Sequence, residues 1–299
     1  MSSKKSMILK ILTLLLASSM TFAAWSAMPV LAASQSAEAS TSATLAKDGY
    51  TLVKKSSGQY LLTMEGMKRT EPLSLTKLPK GSTVEILLQG ENSITVDEIL
   101  GSEISDWYDE EMTYARGIDA DGMNLVFSGS GSLTVRTDGL KAGQAGTNIA
   151  INCETLTVNS GTLKVYTGYA QQESTAIRTG YEDTGRVTLN GGTLEVRGGC
   201  DTPSGTYAAK STCGLSTQSF TMTGGQLTIW SYGAQHSNYN FRTNDYKQTG
   251  GTVSLHQKNQ QGGFYAYDAQ LGGKAVLQID RYMDNDISQV TVSDDARLE

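Results

Sequence analysis

Arg136, Tyr166, Arg197, Trp230 and His256 recur about thirty residues apart, each directly after the last apolar residue of a short alternating run. Aromatic faces pack against the C–H sides of sugar rings, and a guanidinium offers forked donors to hydroxyls or carboxylates. If the intervals correspond to turns of a repeating fold, the five residues form one outward column with the chemistry of a carbohydrate site. The same residues could instead satisfy one another as a cation–π ladder, worth about 0.5–1 kcal/mol per exposed pair. The two readings are compatible. Tyr232, close to Trp230, is the further aromatic best placed to join the column. Tyr169, Tyr181, Tyr207, Tyr239, Tyr265 and Tyr267 fall in the segments between repeats. Segments of that kind commonly carry function, although aromatics more often pack against their own framework.

Catalytic chemistry has weaker support. Asp119 and Asp121 in GIDADG, two apart on a strand, would face the same way and could hold a calcium ion with Asp109 or Glu110. The plain alternative is a solvated acidic surface, and GIDADG lacks the remaining positions of a calcium loop. With His236 and His256 the only histidines, a multi-histidine zinc site or a Ser/His/Asp triad is not expected. The expectation is a protein that is not an enzyme and needs no cofactor. Cys200 and Cys213 flank one loop and could pair, leaving Cys153 odd; three small half-buried side chains are the other reading.

The elements that must position the column are written in a repeated phrase. LTVNSGTLKV (156–165), VTLNGGTLEV (187–196), FTMTGGQLTI (220–229) and YKQTGGTVSL (246–255) are copies, with NLVFSGSGSLTV (124–135) an earlier relative. In the second half of each phrase Leu133 and Val135, Leu163 and Val165, Leu194 and Val196, Leu227 and Ile229, and Val253 and Leu255 point one way. A further short strand precedes each phrase, as in NIAINC and YNFRTN. Strands this short bury their apolar sides only by stacking on like strands about 4.8 Å away. A fixed period of this length means stacked units. Three short strands per coil predict an all-β, right-handed, single-stranded parallel β-helix. A sandwich of hairpins fits less well, because the turns join strands of one repeat.

Gly161, Gly192, Gly225 and Gly251 mark the sharp bend inside each phrase. Ser128, Asn159, Asn190, Thr223 and Thr249 just before it should stack as a polar ladder. Lys164 and Glu195 are expected to pair across adjacent coils. Thr157, Thr188 and Thr221 share an outward column that suggests an ice-binding array, which Lys247 interrupts.

GIDADGMNLVFSGSGSLTVRTDG and AIRTGYEDTGRVTLNGGTLEVRGG resemble the coils of secreted β-helix proteins of Gram-positive bacteria that are described as carrying a carbohydrate-binding domain. The resemblance spans roughly residues 50 to 295. It implies an extracellular surface protein that meets glycans, and it identifies no site.

The flanking segments agree with export. Residues 1–33 carry Lys4, Lys5 and Lys10 ahead of an apolar run and end in small residues around Ala32 and Ala33, the pattern of a signal peptide. Ser18, Ser19 and Thr21 interrupt the run, so cleavage is expected in place of a lasting membrane span. Loss of the three lysines takes the formal charge from −6 to −9. Nucleic acid and anionic membranes are then poor partners, and a polysaccharide or cell-surface glycan is the expected one. Residues 34–46 read as a flexible linker, 47–100 as N-terminal coils and cap, and 101–299 as the repeats with a C-terminal cap closed by Asp294, Asp295, Arg297 and Glu299. A structural or adhesive solenoid without a glycan site is the alternative function, and a polysaccharide lyase or hydrolase a lesser one.

Overall fold

The computed structural model describes residues 49–105, 110–138, 146–180, 184–199, 209–257, 263–280, 286–293 and 295–299. Its strands lie in the compact unit Lys47–Glu299 and form one 14-stranded and one nine-stranded sheet. Among the described residues there is no helix, and so none long and apolar enough to cross a membrane.

The second half of each repeated phrase forms the nine-stranded sheet. Ser132–Thr137, Thr162–Thr167, Thr193–Gly198, Gln226–Ser231 and Thr252–Gln257 are successive parallel neighbours. Their register is constant: Leu163 lies opposite Leu133 and Leu194, and Val165 opposite Val135 and Val196. All of these side chains are fully buried. The same sheet reaches back to Lys68–Arg69 and forward to Arg297–Leu298, so the outer segments of the unit extend the stack of the repeats.

The strand before each phrase and the phrase's first half share the 14-stranded sheet. Glu110–Gly129, Thr147–Val158 and Ala234–Gln248 each run through the expected break between them without ending. Glu173–Thr179 and Arg186–Leu189 keep the break, as do Ala209–Ser216 and Ser219–Met222. Antiparallel pairing among the described residues is confined to Tyr50–Ser56 with Gln59–Glu65 and Gly101–Ser105 with Glu110–Gly129. This does not suit a sandwich of hairpins. Between the sheets the core ends in an aromatic cluster: Phe220 meets Phe241 edge-on at 4.9 Å and stacks on Tyr246 at 5.2 Å.

The chain crosses between sheets at the glycine bend. Gly192 has φ 73° and Gly225 φ 84°, and a Cβ on Gly192 would lie 2.5 Å from the Gly161 carbonyl oxygen. That oxygen accepts the amide of Thr193 at 2.9 Å, so a side chain there would break both conformation and ladder. The polar ladder forms in part. Asn190 Nδ2 donates to Asn159 Oδ1 at 2.9 Å and Thr223 Oγ1 to Asn190 Oδ1 at 3.1 Å. At the first bend it is Ser160, not Ser128, whose hydroxyl accepts the amide of Gly129.

The return crossing is closed by buried polar side chains that find partners, as interior groups must. Asn148 Nδ2 donates to the Thr137 carbonyl at 2.8 Å, Ser174 Oγ to Thr167 Oγ1 at 3.0 Å, and Ser231 Oγ to Asn240 Oδ1 at 2.9 Å. Cys153 and Cys213 are both buried, and burial pushes the Cys213 thiol up to about 12. The expected pairing of Cys213 involves Cys200, which lies outside the described residues, as do Tyr181, Tyr207, Asp109 and Asp294.

Candidate functional site

The constant register of the nine-stranded sheet brings the five spaced residues onto successive rungs. Arg136 lies opposite Tyr166, Tyr166 opposite Arg197, Arg197 opposite Trp230 and Trp230 opposite His256. The side chains then form one stack. The Arg136 guanidinium sits 5.1 Å from the Tyr166 ring centre, and Arg197 sits 5.2 Å from Tyr166 and 4.7 Å from Trp230. The Trp230 and His256 rings stack at 5.1 Å with 23° between planes.

Carboxylates hold the two guanidiniums in place. Arg197 donates from Nε and Nη2 to Glu195 Oε1 at 3.1 and 2.8 Å, and the Tyr166 hydroxyl donates to the same oxygen at 2.9 Å. Glu195 therefore turns to its own strand and to Tyr166, and the expected pairing with Lys164 is corrected. Register does put Lys164 opposite Glu195, but Arg197, two residues along, offers a fork where Lys164 offers a point charge. Arg136 is held in the same way by both oxygens of Asp138. At the far end His256 Nδ1 lies 3.4 Å from Asp280 Oδ1. Asp138 and Asp280 were not singled out from the sequence. Their signal was proximity: Asp138 two residues past Arg136, and Asp280 one rung beyond His256.

Tyr166 keeps its place in the column but is not exposed. It is buried, because a guanidinium covers each ring face and its hydroxyl is tied down. Burial, then the bond to Glu195, holds its phenol well above the usual range. For Arg197 burial alone would lower the pKa, but the bond and charge of Glu195 override it and raise the value. Trp230 is half-buried and has Arg197 over one face and His256 over the other. The column can thus offer ring edges and guanidinium edges, while the faces of Tyr166 and Trp230 are occupied. Tyr232 is half-buried beside the column, with its amide donating to the Gly198 carbonyl at 2.9 Å.

The calcium candidate, Asp119 and Asp121, lies on Glu110–Gly129. Asp121 Oδ2 lies 3.2 Å from Lys80 Nζ, and no group of three metal-binding side chains occurs among the described residues. Asp109 and the side chain of Glu110 are outside them. Thr157, Thr188 and Thr221 do share a column, and Lys247 occupies the next rung.

Compared with protein-family models, with curated proteins and with solved structures, the chain gives no match.

Proposed function

We propose that the chain is a right-handed parallel β-helix of the secreted Gram-positive type its coils resemble, and that it is an extracellular, non-catalytic glycan-binding protein. What supports the helix is the passage between two parallel sheets once per repeat at unchanged register. What supports export is the leader-like sequence of residues 1–33.

The observation that carries glycan binding is the five-rung strip of arginine, aromatic and histidine on one face of the nine-stranded sheet. A strip repeating about every 4.8 Å along an axis suits a linear polymer better than a compact ligand. Recognition would run through the guanidinium edges, Glu195 and the ring edge of Trp230. A structural or adhesive solenoid is the second reading. It is favoured by the covered faces of Tyr166 and Trp230 and by the carboxylate held against each arginine.

Glycan binding in high salt, with Arg197→Ala and Trp230→Ala each weakening it about tenfold, roughly 1.4 kcal/mol, is the result expected of a binding column. Variants that melt a few degrees lower while binding is unaltered, or absent throughout, would select the structural reading.

A further inference from the structure

Outside the column, the 14-stranded sheet carries a second group of aromatics whose surroundings are the reverse of the first. Tyr265 and Tyr267 lie on Gly263–Leu271 on either side of Ala266, which is fully buried, so both project from the outer face. Tyr267 is 56% exposed. Tyr239 and Tyr265 are half-buried and meet edge-on at 6.4 Å; the rung neighbours of Tyr239 are Cys213 on one side and Gly263, which has no side chain to cover it, on the other.

The rungs around Tyr265 supply polar groups of both signs. Arg242 lies opposite it on one side and Asp286 on the other, and both are exposed. Among the described residues no ion pair, hydrogen bond or cation–π contact engages the side chain of Arg242 or Asp286. The Tyr267 hydroxyl likewise makes no hydrogen bond. Arg136 and Arg197 are each held by a carboxylate and laid on a ring; among the described residues Arg242 has neither partner, and no guanidinium lies over the ring of Tyr239, Tyr265 or Tyr267.

We propose that Tyr239, Tyr265 and Tyr267, with Arg242 as donor and Asp286 as acceptor, form a ring-stacking subsite for a neutral, hydroxyl-rich polysaccharide. A pyranose ring presents an apolar C–H face to a tyrosine and a rim of hydroxyls that both donate and accept. The cation and the carboxylate stand two rungs apart, roughly 10 Å, with the aromatic between them. Such a pair satisfies hydroxyls without leaving a net charge to be matched. A polyanion would meet Asp286 within the patch and the chain's formal charge of −6 beyond it. The proposal rests on the reading of the protein as a glycan binder, and it is independent of the arginine–aromatic column.

Affinity electrophoresis of the full chain in gels containing a β-glucan, a xylan, a mannan or a uronic-acid polymer tests it. The parent should be retarded by at least one neutral polymer. Tyr267→Ala and Arg242→Ala should each weaken that binding tenfold or more, both alone and in a Trp230→Ala background, with the melting temperature unchanged. Tyr267→Phe, which keeps the ring, should bind as the parent does. Parent-like binding by Tyr267→Ala, with loss in Trp230→Ala, removes the tyrosine subsite and leaves the glycan reading standing. Retardation by the uronic-acid polymer alone overturns the neutral class, and a parent that binds no polymer overturns the subsite together with the glycan reading.

Discussion

Glu195 accepts bonds from two residues that stack on each other, and so fixes the middle of the column with a single oxygen. The arrangement makes Tyr166 sensitive to alkali. Its folded pKa is raised above the ordinary value of 10.0, so the unfolded chain loses the proton first. The stabilisation is complete below about pH 10 and is lost as the pH rises from there toward the folded value. Tyr166→Phe should therefore show a shallower fall of unfolding midpoint between pH 9 and 11 than the parent; equal slopes would show the phenol is not held in this way. Little of this was legible beforehand. Alternation and spacing gave the column and its membership, because both depend on backbone period. They could not say that Tyr166 would be covered on both faces, or that Glu195 would leave Lys164 for Arg197. Those outcomes depend on side-chain reach and fork geometry across rungs.

Among the elements, the strands of the nine-stranded sheet were the most legible and the long strands of the other sheet the least. A strand with one buried face writes its period of two into the sequence, as Leu194, Glu195, Val196 and Arg197 do. The stretch Thr147–Cys153 is buried at nearly every position, so its alternation is lost and the continuation into LTV cannot be read. Two substitutions test the assigned register. Val196→Asp would place an unpaired carboxylate where no solvent reaches, a cost of several kcal/mol. Cooperative unfolding should disappear, and a variant melting within a few degrees of the parent would refute the interior assignment. Gly192→Ala should cost about 2 kcal/mol or more, since it combines a left-handed backbone with a Cβ set 2.5 Å from the Gly161 oxygen. Denaturant midpoints would measure it, with Thr193→Ala, half-buried in the next position, as a control expected to cost little.

At the scale of the whole molecule, the proposed solenoid makes each coil answerable only to its two neighbours, so stability should be close to a sum over coils and their interfaces. This permits an operation that few globular folds survive, the removal of a complete coil. Leu194 lies opposite Leu227, so deleting residues 194–226 joins Thr193 to Leu227 and moves every later strand up one rung in register. Trp230 would then stack directly on Tyr166, and Leu227 and Ile229 would take the inward places of Leu194 and Val196. We expect this variant to fold, with a β-type circular dichroism spectrum and a melting temperature lowered by several degrees for the lost interface. Deleting residues 194–225 instead retains Gln226 and shifts the splice by one residue. Because the side-chain period is two, Leu227 and Ile229 then face water while Thr228 and Trp230 turn to the core, and aggregation is expected. If the two deletions prove equally unable to fold, the repeats are not exchangeable units and stacking between nearest neighbours does not hold the chain together.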